Sequence, residues 1–157
     1  MPLSGNTASF SIDNVSVKEV TGFSAPHADS PLDVSAFKLV EGTNNGQHRI
    51  HKGISFGTST EVTQSFYVKM GEISKVGIYE GNSSGNYASF NISTGSLIEG
   101  NFTNASISPL TDDWYRIDIT NSTVDAYGFL YSIYLLDDAY TTGSPNTYTY
   151  TGDGTSG

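Results

Sequence analysis

The chain contains no cysteine, so neither a disulfide framework nor thiolate chemistry contributes to its stability or reactivity. Basic residues are scarce: 7 Lys and Arg stand against 16 Asp and Glu, a formal net charge of −9. Phosphate backbones are held by clustered cations, so this balance argues against a nucleic-acid partner. Charge of either sign is sparse, at 15% of residues. No apolar run approaches the roughly 18–20 residues of a membrane-spanning helix, and no membrane insertion is expected. Met1–Phe10 lacks a basic region followed by an apolar segment, which predicts no signal peptide. Helical periodicity is also missing. Stability therefore has to come from a packed core, helped by a metal or by oligomerisation.

What is present is turn-forming and β-forming: 17 Gly, 10 Tyr and 8 Phe among many Ser, Thr and Asn. A length of 157 residues is enough for one domain with a core of useful size. Period-two alternation recurs along the chain. Residues 9–20 read as a strand and 22–35 as a loop; a short strand spans Ala36–Glu41, with Phe37, Leu39 and Glu41 on one side. Asn45-Gly46 is the strongest two-residue hairpin signal. Gln47–Ile54 alternates, with Gln47, Arg49 and His51 on one side. In 61–70, Phe66, Val68 and Met70 face in while Ser65, Tyr67 and Lys69 face out. In 74–80, Val76 and Ile78 face in and Lys75 and Tyr79 out. Short strands follow at 87–92 and 95–100, and 101–111 is read as a connection.

The stretch 112–120 holds the only tryptophan, with Tyr115, Ile117 and Ile119 inward and Trp114, Arg116 and Asp118 outward. Residues 128–136 are apolar on both faces, the signature of a central strand covered on both sides. The tail 141–157 is Thr-, Tyr- and Gly-rich, with no strand to lead into. Eight to ten short strands between Gly, Asn and Pro turns predict an all-β fold, an antiparallel β-sandwich.

Four segments in order, Ser65–Glu72, Tyr87–Ser96, Asp113–Ile117 and Tyr148–Gly157, resemble the concanavalin A-like, carbohydrate-binding-module-like jelly-roll domains of phage tail and other virion-associated proteins. The resemblance covers about residues 23–157. It implies a single jelly-roll domain over 1–157, divided into a closing-type strand at 9–20, a sandwich body at 23–140 and a Thr- and Gly-rich tail at 141–157. In that family the Thr-Gly-Asp-Gly-Thr-Ser-Gly turn leads into a last strand, whereas residues 9–20 look like that strand placed in front. They are expected to fill the closing slot, within the chain or by strand exchange with a neighbouring subunit or repeat. A virion or extracellular setting, and a structural Ca2+ with Asp13 as its ligand, follow from the same resemblance.

Outward parity collects Arg49, His51, Tyr67, Lys69, Lys75, Tyr79, Trp114, Arg116 and Asp118. Sugars stack their CH faces on aromatic rings and give their hydroxyls to planar polar groups, so this set predicts a polysaccharide or cell-surface glycan as ligand. Four of the seven cations (Arg49, Lys69, Lys75, Arg116) fall in the set, which hints at an acidic glycan. A sandwich has two outer faces, and alternation does not say which strands share one. Trp114 also has a second reading, as a packed structural residue. His27, His48 and His51 make no nucleophilic or metal-binding constellation, and no enzyme is expected. The alternative to glycan binding is a structural or oligomerisation module of a tail or capsid.

Overall fold

The computed structural model describes residues 36–54, 61–81, 85–121 and 129–157. Among them lie ten strands: β1 (Asn45–Gly46), β2 (His48–Ile54), β3 (Val62–Lys69), β4 (Lys75–Glu80), β5 (Tyr87–Asn91), β6 (Ser96–Gly100), β7 (Asn104–Pro109), β8 (Trp114–Asn121), β9 (Phe129–Leu136) and β10 (Tyr150–Thr151). The helical content of these residues is one short 3-10 turn at Pro145–Thr147. All the pairings are antiparallel. They make a five-stranded sheet, β2-β9-β4-β5-β6, a three-stranded sheet, β3-β8-β7, and the small ribbon β1-β10.

The two larger sheets pack face to face as an all-β sandwich. Val76, Ile78, Ala88, Phe90, Ile92 and Tyr131 of the five-stranded side meet Ile117, Ile119, Phe66, Val68 and Ile107 of the three-stranded side. The alternation of β3 and β8 lands as their sequences dictate: Phe66 is opposite Ile117 and Val68 opposite Tyr115, all turned to this core. Burying each large side chain stabilises by roughly 1.5–3 kcal/mol. Strand β9 sits between β2 and β4, and both of its faces are covered. Tyr131 and Ile133 join the inter-sheet core, while Tyr134 and Leu136 join a second cluster with Tyr140 and Tyr148 on the sheet's outer side.

That second cluster exists because residues 137–157 fold back as a strap over the outer face of the five-stranded sheet. Gly77 of β4 leaves a bare spot there, into which Pro145 fits so closely that a Cβ on Gly77 would lie 2.6 Å from the Pro145 Cβ. Tyr140 hydrogen-bonds Ser89 Oγ at 2.7 Å and packs edge-on against Tyr148, centroids 5.1 Å apart. Lys75 Nζ donates to the carbonyls of Asp138 and Tyr140 at 2.8 and 2.7 Å. The strap then runs through β10 onto a clasp built on Glu41. This carboxylate, 6% exposed, accepts from the Tyr150 hydroxyl at 2.7 Å and from the Asp153 N–H at 2.6 Å. Gly42 N–H donates to His48 Nδ1 at 3.1 Å, which assigns the ring's Nε2–H to the Tyr150 carbonyl 3.2 Å away. Asp153 in turn accepts the N–H groups of Thr155 and Ser156 at 2.6 and 2.7 Å and both of their hydroxyls. Glu41 and Glu72 N–H donate to the Ser156 and Gly157 carbonyls, each at 2.9 Å.

Several expectations need correction. Asn45-Gly46 is not a hairpin turn but strand β1, with Asn45 opposite Thr151 and Gly46 opposite Tyr150. Gly46 does not take the positive φ that a primed turn demands. The partner strand, β10, is supplied by the tail. Residues 36–41 form only single bridges at Ala36 and Leu39, and the residues expected to share one side differ in cover: Phe37 is 58% exposed while Glu41 is buried. Segment 104–109, read as part of a connection, is strand β7. Met70 lies just past the end of β3 and is 44% exposed rather than inward. The closing strand expected at 9–20 lies outside the described residues, as does Asp13.

The clasp yields two expectations. Tyr150→Phe leaves the buried Glu41 carboxylate short of a donor and should cost about 1.5–3 kcal/mol in denaturant unfolding. The four donors on Asp153, led by the Ser156 and Thr155 bonds, hold its carboxyl below the ordinary aspartate range. A lowered folded-state value contributes stability that is present above the unfolded value, near pH 4, and fades as pH falls further. Unfolding midpoints of wild type and Asp153→Ala should therefore differ at neutral pH and converge on acidification below pH 4.

Candidate functional site

Strand register decides which outward residues are neighbours. On β3 and β8, Ser65 is opposite Asp118, Tyr67 opposite Arg116 and Lys69 opposite Trp114. Strand β7 extends two of these rows with Ser106 beside Asp118 and Ser108 beside Arg116. Five of the nine outward candidates thus share the outer face of the three-stranded sheet: Tyr67, Lys69, Trp114, Arg116 and Asp118. At its centre is a closed triangle. Arg116 Nε donates to Asp118 Oδ1 at 2.9 Å, Nη2 forms an ion pair with the same oxygen at 2.9 Å and donates to Ser65 Oγ at 3.0 Å, and the Ser65 hydroxyl donates to that Asp118 oxygen at 2.5 Å. The guanidinium is held flat and its charge is answered locally. Its Nη1 group is bonded by no described residue, and the half-buried Tyr67 ring stands one strand away.

Of the remaining four, Arg49, His51 and Tyr79 lie on the opposite side of the molecule, on the outer face of the five-stranded sheet. Lys75 is there too, with its amine bound to the strap carbonyls. The single face suggested by outward parity is therefore two faces, because β2 and β4 belong to one sheet and β3 and β8 to the other. The four cations divide two and two, which weakens the charge argument for an acidic ligand on the Trp114 side. On the five-stranded side Arg49 lies over the Tyr134 ring, Cζ 5.7 Å from its centroid, and donates to Ser132 Oγ at 3.1 Å. Tyr79 meets the same Tyr134 edge-on at 6.4 Å. Ser65, read as outward, was not among the candidate ligand residues, nor were Ser132 and Tyr134, although all three position these side chains. Ser65 was legible by parity; Tyr134 was hidden in an apolar run whose two faces look alike.

Trp114 has outward parity yet is only 7% exposed, and its indole Nε1 has no hydrogen-bond partner. Its ring is not an open stacking platform. It is fixed at the start of β8 by a tight turn, in which the Trp114 N–H donates to the Thr111 carbonyl at 3.2 Å and the Leu110 N–H to the Trp114 carbonyl at 2.7 Å. Asp112 and Asp113 carry the turn at φ of 56° and 62°, the left-handed region that disfavours residues with a Cβ.

The other chemistries find less support among the described residues. No group of three or more His, Cys, Asp or Glu side chains is arranged to hold a metal. The acidic turns there are engaged by the protein itself: Asp137 by the Tyr148 hydroxyl and the Ala139 N–H, Asp138 by Ser74, and Asp153 as described. His48 is buried in the clasp, and His51 stands exposed on the far sheet.

Two stability measurements test the placement of Trp114 and its turn. Trp114→Ala should cost about 3–5 kcal/mol, as for other buried large-to-small changes. Trp114→Phe should cost markedly less, because it also removes an unpartnered N–H. Asp113→Gly should raise stability by roughly 0.5–1 kcal/mol, since glycine takes positive φ without the steric penalty. Comparison of the chain with models of known protein families gives no match, and comparison with curated proteins gives none either.

Proposed function

We propose that the protein is a non-catalytic carbohydrate-binding module of jelly-roll type, virion-associated or extracellular, that holds a polysaccharide or cell-surface glycan on the outer face of its three-stranded sheet. The observation that carries this reading is the Ser65–Arg116–Asp118 triangle beside Tyr67, a set of planar polar groups held rigid next to an aromatic ring on an exposed sheet. Such a face offers hydroxyls a fixed pattern of donors and acceptors, and offers a sugar ring an apolar partner. It takes part by binding. Affinity for a single short glycan is weak, since ring stacking contributes about 0.5–1.5 kcal/mol, and useful avidity comes from several copies in an assembly.

A second reading, a structural or oligomerisation module of a tail or capsid, draws on the exposed apolar side chains at the Trp114 end of the same sheet. Met70 is 44% and Leu110 39% exposed there. Affinity electrophoresis in gels containing neutral and acidic polysaccharides separates the two. Retardation of the wild type by a neutral polysaccharide, weakened about tenfold or more in Tyr67→Ala and Arg116→Ala with unfolding transitions intact, supports the glycan reading. A stable oligomer in solution that no polysaccharide retards sinks it and supports the structural one.

A further inference from the structure

The strap leaves part of the five-stranded sheet uncovered, and the boundary follows the cross-strand rows. One row runs Arg49, Tyr134, Gly77, Ser89 across β2, β9, β4 and β5. Its later members are roofed by the strap, with Pro145 on Gly77 and Tyr140 on Ser89. The next row runs His51, Ser132, Tyr79, Tyr87 across the same strands. Here His51 is exposed and Tyr79 and Tyr87 half-exposed. Gln47 reaches up from the same face to the Asn146 carbonyl and fixes the strap's position. The result is a ledge: a floor with three rings spaced across neighbouring strands, walled along one side by the strap.

Arg49 stands where floor and wall meet, and its electrostatics differ from those of Arg116. Arg116 is neutralised by Asp118. Arg49 is oriented by a hydroxyl and an aromatic face, and among the described residues no carboxylate pairs with it. The strap's Asp137 is engaged by Tyr148. In a chain of net charge −9, an exposed guanidinium held in place with no counter-charge among the described residues is an anion-receiving group. We infer that the ledge formed by Arg49, His51, Tyr79 and Tyr87 is a second glycan subsite, separate from the three-stranded face, and that it selects sugars bearing an oxyanion, a carboxylate or a sulfate. The anion pairs with the free edge of Arg49, while the sugar ring lies on Tyr79 and Tyr87 with His51 at the far end. This rests on the carbohydrate-binding reading and adds a site and a ligand class to it.

The test is affinity electrophoresis in gels containing polygalacturonate, dextran sulfate or neutral dextran, with wild type, Arg49→Gln, Arg49→Lys and Arg116→Gln, each checked for an unchanged unfolding transition. Because the protein is itself acidic, a polyanion repels it unless a specific subsite binds, so retardation is diagnostic. The expected result is retardation by at least one acidic polymer that falls about tenfold or more in Arg49→Gln and survives in Arg116→Gln. Polygalacturonate alone identifies a carboxylate ligand and dextran sulfate alone a sulfate. Arg49→Lys should lose a carboxylate, which needs the planar fork, more than a sulfate. Acidic-polymer retardation lost in Arg116→Gln and unchanged in Arg49→Gln overturns the ledge and leaves carbohydrate binding standing. Retardation of the wild type by neutral dextran alone does the same, and retardation by no polymer overturns both.

Discussion

The Glu41 clasp is the interaction on which the surface of this molecule depends. A carboxylate removed from water is costly unless donors replace its hydration. Here the replacements, the Tyr150 hydroxyl and the Asp153 N–H, come from more than a hundred residues further along the chain. The tail is therefore held by more than apolar contact, since lifting it strips two donors from a buried charge. Close backbone approach is part of the same device. A Cβ at Gly152 would collide with the Gly42 carbonyl oxygen, so only glycine lets the returning chain come near enough. Burial raises the Tyr150 hydroxyl's pKa first, and its bond to Glu41 raises it further, keeping it a donor throughout the ordinary pH range.

Once the strap is fixed, the two outer faces stop being equivalent. The three-stranded sheet keeps an open face on which a cation and an anion are already paired. The five-stranded sheet is roofed over half its width, and its outward tyrosines divide into those that pack under the strap and those left beside it. Burial lifts the Tyr134 and Tyr140 hydroxyls above the usual tyrosine value, as expected of rings under the roof. The strap thus both completes a hydrophobic layer and shapes the remaining floor.

Side-chain parity was the part of this fold legible in the sequence, because it is a local property. Period two sorted Phe66, Val68, Val76, Ile78, Tyr115, Ile117 and Ile119 inward, and all of them face the inter-sheet core. It sorted the candidate ligand residues outward, and the register places every one of them on an outer face. Which sheet a strand joins is not local. Arg49 and Arg116 have the same parity and the same chemistry, yet one sits on β2 and the other on β8, on opposite sides of the molecule. Likewise Asn45-Gly46 carries a hairpin signal, but pairing with Tyr150 and Thr151 overrides it. The tight turn before β8 falls instead at Asp112-Asp113, which has less of the customary turn chemistry.

The failure at Trp114 has a different cause. Parity predicts direction and says nothing about cover: a side chain pointing out of a sheet is exposed only if nothing lies over it. Trp114 points out and is nonetheless 7% exposed, so the residue most suggestive of sugar stacking contributes little open surface to the face it belongs to. The polar residues of the same strand take over the candidate role. Arg116 and Asp118, two apart on β8 and tied through Ser65 of the neighbouring strand, are rigid because three side chains on two strands satisfy one another. A recognition surface needs that rigidity more than it needs the largest ring, since groups already held in place lose less entropy when a ligand arrives.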